Sequence, residues 1–278
     1  MRIGKGRNLE IIIQDALSTD TTQEIIEDYI PKFKDIHYHR ENDFGQSDAI
    51  NKGIMKAQGK WVTWLCSDDL LLDGFIDLLR DIEFDKEVSV IYGDCVFLKD
   101  NKLTPAIGTG KYEKGKLLKR GGFIQQPGTC IVKSEWVKVK GLDTKLNWIM
   151  DYDLFVRLEE AGCFFRRLDT FVSVARIHDE AKTSSGSFRR FAEYFVLFAG
   201  GHKRNLRFFS IKPYTIYFVE YIIKNMESKK RKGLFYNALV AIFWKMVRPR
   251  EKTEIIERFN SRRKGIQENI DQLEGIPI

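Results

Sequence analysis

The feature that most constrains this chain is the alternation, over its first hundred residues, of short apolar runs with amphipathic segments closed by caps and breakers. Ile11-Ile12-Ile13 is β-branched and stops at the polar pair Gln14-Asp15, the pattern of a buried strand. Ser18-Thr19-Asp20 supplies N-cap candidates for a helix over residues 21–30 that ends before Pro31. Residues 36–39 read as a short strand and residues 47–57 as a helix with Gly59 as its stop. Residues 61–65 read as an apolar strand that runs into Ser67-Asp68-Asp69, residues 75–82 as a helix, and residues 89–98 as a further strand. Strands and helices that alternate in this way bury their apolar faces best as one α/β sheet flanked by helices.

The pattern changes further along. Residues 121–132 read as irregular and then extended. Residues 151–161 read as an amphipathic helix carrying Leu154, Val156, Leu158 and Ala161, and residues 171–177 as a strand. After a polar stretch over residues 178–187, the chain is helical, aromatic and basic from Phe188 onward. The expected organisation is an α/β domain over residues 1–190 and a helical region over residues 191–278. Charge divides similarly. Residues 200–278 hold 17 Lys/Arg and 8 Asp/Glu, a net +9, so the first 199 residues carry −2 of the overall +7. The basic character therefore belongs to the tail, which suits an acidic partner such as an anionic membrane surface or a nucleic acid.

Other features exclude classes. The longest apolar-rich stretch, residues 234–247, falls short of the roughly 20 residues a spanning helix needs. Residues 1–8 are basic without an apolar run, so no export signal is expected there. Cys66, Cys95, Cys130 and Cys163 are far apart and form no CxxC pair, which argues against a zinc knuckle or a disulfide framework. They read as small buried hydrophobes of a protein kept in a reducing compartment.

Five acidic or histidine-bearing constellations carry the candidate chemistry. Asp68-Asp69 follows an apolar strand, at the carboxyl edge where open α/β sheets take ligands, and paired carboxylates there suit Mg²⁺ or Mn²⁺. Asp15 ends the first strand, where it can meet a base or ribose. The run from Asp43 to Gly53, with Asp48 inside it, presents a turn and a helix N-terminus to an anion. Asp151-Tyr152-Asp153 opens a helix and can offer a general base. His178 ends a strand, where an imidazole can ligate metal. Taken singly, the carboxylates read rather as helix caps or solvated turns, and a lone histidine as a surface or core residue.

Their order and spacing, however, resemble the family 2 glycosyltransferases of GT-A fold over residues 8–183. Leu9 to Asp20 resembles that family's strand followed by D-G-S-T-D, with Ala16-Leu17 where a glycine usually stands. Glu41-Asn42-Asp43-Phe44-Gly45-Gln46-Ser47-Asp48-Ala49-Ile50-Asn51-Lys52-Gly53 resembles E-x-D-x-G-Q-x-D-A-x-N-x-G. Trp64-Leu65-Cys66-Ser67-Asp68-Asp69 resembles W-L-x-S-D-D, the family's form of a DXD motif. Gln126-Pro127-Gly128 resembles an acceptor-side Q-P-x, and Met150-Asp151-Tyr152-Asp153-Leu154 resembles E-D-x-D-L with Met150 in place of Glu.

The resemblance implies a Rossmann-like, mixed but mostly parallel sheet flanked by helices, with a C-terminal helical appendage. It implies transfer of a sugar from a nucleoside-diphosphate donor to a glycan or polyprenyl-linked acceptor, with inversion. Asp15, Asp48 and Asp68 then face the donor, Asp69 and His178 hold a divalent Mn²⁺ or Mg²⁺, Gln126 and Pro127 lie on the acceptor side, and Asp151 is the base. The expected location is cytoplasmic, peripheral to the inner face of a membrane, with no nucleic-acid partner, since phosphate binding leaves the carboxylates unexplained. Family members place a further strand and helix ahead of the Leu9 strand, a unit of about 30 residues. Only residues 1–8 precede it here, so that unit is expected to lie upstream of Met1 or to be missing. Its loss, with Met150, motivates the alternative of a non-catalytic nucleotide-sugar-binding relative.

Overall fold

The computed structural model describes residues 9–33, 35–82, 87–106, 110–120, 124–178, 188–199, 215, 218–219, 221–223, 226, 233–247 and 252–274. The basic cluster at residues 229–232 and the aromatic run at residues 206–209 lie outside them.

Two sheets organise the described residues. In the first, β1 (Ile11–Asp15) pairs in parallel with β2 (Ile36–Arg40), in a register that sets Ile11 opposite Ile36 and Asp15 opposite Arg40. Helix α1 (Thr22–Tyr29) connects them, and α2 (Gln46–Lys56) packs against β1. The second sheet holds six strands: β3 (Trp61–Val62), β4 (Leu70–Leu71), β5 (Val88–Lys99), β6 (Lys102–Pro105), β7 (Cys130–Val132) and β8 (Phe164–Arg176). Their order is β3-β7-β5-β8-β4, with β6 paired to β5. The sheet is mixed as expected, but its balance differs from the mostly parallel expectation. Among the described residues, parallel pairing is confined to β1–β2 and β5–β8, and the other four pairs are antiparallel.

The centre of the sheet is the long β5–β8 pair. Val90, Ile91, Tyr92, Cys95 and Val96 are fully buried, because helices cover both faces and a continuous apolar run is then favoured over alternation. On one face α4 (Lys116–Arg120), α5 (Lys133–Lys138) and α6 (Met150–Glu160) bring Leu117, Trp136, Leu154, Phe155 and Leu158 onto Val90, Tyr92 and Ile131. Tyr194 and Leu197 of α7 (Phe188–Ala199) join this same core. On the other face α9 (Lys252–Glu274) lays Ile255, Phe259, Ile266 and Ile270 over Val96, Leu103, Phe171 and Val174. Helix α3 (Phe75–Ile82) follows β4, and α8 (Leu234–Val247) precedes α9. No helix among the described residues is long and apolar enough to cross a membrane.

Two strand expectations need correction. The strand expected over residues 61–65 pairs only at Trp61 and Val62. Beyond them the chain leaves the ladder: the Trp64 carbonyl accepts a bond from Gln126 Nε2 at 2.7 Å, and the Trp64 ring meets Trp136 edge-on. Conversely, β8 begins at Phe164 rather than near Phe171. Arg166, Arg167 and Asp169 disguise its first half as polar. The structure shows why they are tolerated: buried Asp94 of β5 takes the Arg167 guanidinium at 2.6 Å and that of Arg258 from α9.

Candidate active site

The first turn of α2 contacts two of the segments that carry candidate residues. Gly45 takes φ +107°, a left-handed conformation that lets the chain turn sharply into the helix. Three side chains then reach three different parts of the molecule. Gln46 Nε2 approaches Cys66 Sγ at 3.4 Å, in the loop that carries Asp68 and Asp69. Ser47, buried, donates to the Leu146 carbonyl or to Met150 Sδ, at 3.2 and 2.9 Å, beside the start of α6. Asn51 exchanges a pair of bonds with the backbone of Leu142, at 2.8 and 2.9 Å. Consecutive residues thus tie the Asp68-Asp69 loop and the N-terminus of α6 to one helix end. The Gln-Ser-Asp-Ala-Ile-Asn pattern was visible in the sequence, but its role as a tie between two distant segments was not.

The loop after β3 is a tight turn, with the Asp69 N–H bonded to the Cys66 carbonyl at 3.1 Å. Cys66, Asp68 and Asp69 each offer a ligand atom within 4.8 Å of the others. His178 Nε2 lies 3.1 Å from Asp68 Oδ2, and the Arg176 N–H reaches Asp69 Oδ1 at 3.3 Å. The end of β8 therefore brings His178 to the loop from 110 residues away. Burial, and then the neighbouring Asp68 charge, push the Asp69 carboxyl up to about 6, against partial offsets from Arg176 and His178. Carboxylates crowded in this way gain from a shared cation. The two carboxylates are hard oxygen donors that suit Mn²⁺ or Mg²⁺, and the soft Cys66 thiol adds little for either ion. Cys95, Cys130 and Cys163 are buried thiols as expected; Cys66 is not, being half-exposed within the carboxylate cluster.

Asp151 sits in the first turn of α6, half-buried, with Oδ1 accepting the Tyr152 N–H at 2.8 Å. Burial raises its carboxyl above the ordinary range; the Tyr152 N–H and the Arg190 charge offset this in part. Asp153 is fully buried and accepts a bond from Arg157 Nε at 2.7 Å within the same helix, and Arg157 Nη1 donates in turn to the Val139 carbonyl, so the pair ties the helix to the segment after α5.

The remaining candidates are engaged by their own surroundings. Asp15 is buried at the end of β1, and its two oxygens accept bonds from the Ser18 N–H and hydroxyl and from Tyr38 at 2.8 Å, with Arg40 at 3.5 Å. Burial alone would raise its carboxyl, but these partners together hold it below the usual value. The turn they stabilise places Leu17 at φ +61°, where the resembled family carries glycine. Asp48 accepts the Phe44 N–H at 3.1 Å and pairs with Lys52 at 2.9 Å, which closes the turn into α2. Gln126 spends its amide on the Trp64 carbonyl, and the Pro127 carbonyl accepts a bond from Ser173 at 2.6 Å. These contacts fasten the Gln126-Pro127 loop to β3 and β8.

The glycosyl transferase family 2 model matches residues 2–138 of this chain. An uncharacterized glycosyltransferase of Rickettsia typhi is 27% identical over 208 residues, which is 71% of this chain and 64% of that protein, so the chain spans less than two thirds of that relative's length. Among solved structures, residues 1–349 of Staphylococcus aureus TarS in complex with UDP-GlcNAc align with a TM-score of 0.55 at 13% identity, over 86% of this chain and 72% of that one. A mannosyltransferase of Pyrobaculum calidifontis in complex with GDP-Man and Mn²⁺ aligns with a TM-score of 0.50 at 14% identity, over 94% and 78%. These likenesses match the sheet and helices described above: residues 2–138 belong to glycosyltransferase family 2, in a chain with the GT-A fold.

Proposed function

We propose that this chain transfers a sugar from a nucleoside-diphosphate donor to a hydroxyl of a glycan or polyprenyl-linked acceptor, with inversion at the anomeric carbon. The observation that carries the reading is the junction at α2, where Gln46 meets the Asp68-Asp69 loop and Ser47 meets the start of the helix bearing Asp151. This junction supports a reading in which the Cys66-Asp68-Asp69 cluster and the first turn of α6 serve one site. The solved relatives with bound UDP-GlcNAc and GDP-Man are of the same fold, which supports a nucleotide-sugar donor.

In this reading Asp69 and His178 would hold a divalent cation, and Asp68, 3.1 Å from His178, would face the donor. When bound, the cation neutralises the charge that develops on the leaving diphosphate. Asp15 shapes the turn on the base side through Ser18 and Tyr38, and Asp48 holds the turn of residues 44–48 on the phosphate side. Asp151 takes the proton of the acceptor hydroxyl as that oxygen attacks the anomeric carbon. Its raised affinity for protons makes it a better base than an exposed carboxylate. Because one displacement occurs, configuration inverts. Gln126 and Pro127 form the acceptor side, fixed by Trp64 and Ser173.

Exposed aromatic and aliphatic side chains support an acceptor carried on a membrane. Phe188 of α7 and Leu234 and Phe235 of α8 are at least 65% exposed, and the basic stretch at residues 229–232 directly precedes α8 in sequence. Such a pairing suits peripheral attachment to the anionic inner face of a membrane.

The test is release of nucleoside diphosphate from a panel of UDP-glucose, UDP-GlcNAc, UDP-galactose and GDP-mannose with Mn²⁺. Turnover of one donor, lost in Asp69→Asn and in Asp151→Asn, is expected. Metal-dependent binding of UDP or GDP with no turnover of any donor would instead make the chain a binding relative, with Met150 in the place of the usual acid as the departure to examine.

A further inference from the structure

The cap residue of α6 offers its helix no side-chain acceptor. Ile149 stands at the cap position with no side-chain hydrogen bond, yet a helix start leaves its first N–H groups without intrahelical partners. Glu193, on α7, instead holds the segment that leads into the helix. Its Oε1 accepts the N–H of Asn147 at 2.9 Å, and its Oε2 accepts those of Trp148 at 2.9 Å and Ile149 at 3.2 Å. One carboxylate thus gathers three successive N–H groups immediately ahead of Met150 and Asp151. The arrangement is charge-assisted and multiply bonded, which makes it geometrically demanding. Helix α7 is itself anchored: Tyr194 and Leu197 are buried in the main core, and the Tyr194 ring lies 6.1 Å from that of Tyr152 on α6. The turn of α7 that carries Glu193 also carries Arg190, whose guanidinium lies over the Tyr194 ring at 6.0 Å and whose charge acts on Asp151.

We infer that Glu193 is a positioning residue for Asp151: by holding the backbone of residues 147–149, it fixes where the first turn of α6, and with it the Asp151 carboxylate, faces the acceptor. This rests on the proposed role of Asp151 as base. A base must sit within a few tenths of an ångström of its proton, and a misplacement of about 1 Å can reduce the rate ~100-fold. A residue that merely stabilised the fold would lower the melting temperature and the amount of folded enzyme but leave the rate per folded molecule alone.

The experiment uses the full chain with Mn²⁺ and whichever donor of the panel it turns over, measuring release of nucleoside diphosphate. Glu193→Ala is expected to lower kcat by roughly 10- to 100-fold, with the donor KM and the Mn²⁺ affinity within about twofold of wild type. Glu193→Gln, which keeps acceptor oxygen on one side of the carboxyl position, is expected to recover part of kcat and serves if the alanine variant folds poorly. Because Glu193 acts through Asp151, the double variant Asp151→Asn/Glu193→Ala should be no slower than Asp151→Asn alone. Unchanged kcat per folded molecule in both Glu193 variants, or fully additive losses in the double variant, overturns the inference while leaving Asp151 as base. Wild-type turnover in Asp151→Asn overturns the base assignment and the inference with it.

Discussion

Replacing Arg258 by alanine tests whether α9 is an integral part of the catalytic domain. Asp94 lies in the middle of β5, fully buried, and its charge is met from both sides: Arg167 Nη2 at 2.6 Å from β8, and Arg258 from α9. Breaking a buried pair outright costs about 3–5 kcal/mol, because the remaining charge is left without a partner in a poorly polarisable interior. Here Arg167 still holds one oxygen, so about half of that, ~2 kcal/mol, is the expected loss. The second contact of Arg258, to Asp169 at 3.5 Å, involves a largely exposed carboxylate and adds little. For a chain of this size each kcal/mol moves the melting temperature by about 2–4 °C, so Arg258→Ala should melt roughly 4–8 °C below wild type. Differential scanning calorimetry measures this directly. Arg262→Ala, which removes an exposed contact to Thr170, is the control and should shift by less than about 2 °C. If Arg258→Ala melts no lower than Arg262→Ala, the Asp94 cluster does not anchor α9 and the reasoning fails.

Three further outcomes follow from the geometry. Asp69 titrates near 6 in the protein without metal, and a cation requires its ionised form, so Mn²⁺ affinity should fall about tenfold per pH unit below that value; affinity by titration calorimetry that is flat between pH 5 and 7 would refute the crowded-carboxylate account. Asp15 is held below its ordinary pKa, so the stability it contributes is present above that ordinary value and is lost as pH falls through the lowered one. Asp15→Asn should therefore cost about 1–2 kcal/mol at neutral pH, with the difference from wild type in urea denaturation closing under strongly acid conditions; a difference constant with pH would count against it. Gly128 takes φ +80°, and a Cβ there would lie 2.5 Å from Val172 Cγ2, so Gly128→Ala should destabilise the fold by about 2–3 kcal/mol; a melting temperature equal to wild type would show that β8 yields at that point.

The alternation of apolar runs and caps identifies most elements of the first hundred residues from the sequence, because local hydrogen bonding and burial decide them. It fails where distant partners decide. The segment after Val62 leaves the sheet because Gln126, 62 residues away, takes the Trp64 carbonyl. The first half of β8 reads as polar because its arginine is neutralised by Asp94 and not by solvent. The motifs themselves were legible, since Gln46 to Gly53, Trp64 to Asp69 and Asp151 to Leu154 are contiguous in the chain. The loop that Cys66 shares with the two carboxylates was legible too, but not that its thiol turns toward them rather than into the core.

Sequence alone thus determined the family, the α/β class and the set of acidic residues available for chemistry, because each is written in short runs whose physics is local. Tertiary structure alone decided that α2 ties the Asp68-Asp69 loop to α6, that His178 arrives beside Asp68, that Glu193 holds the segment leading into the helix of Asp151 and that α9 covers the sheet through Asp94 and Phe259. Each of these depends on a carboxylate, amide or ring finding a partner more than 15 residues away. Composition and periodicity carry no record of which partner that is, because any sufficiently polar or apolar group satisfies them; only the packed chain selects one.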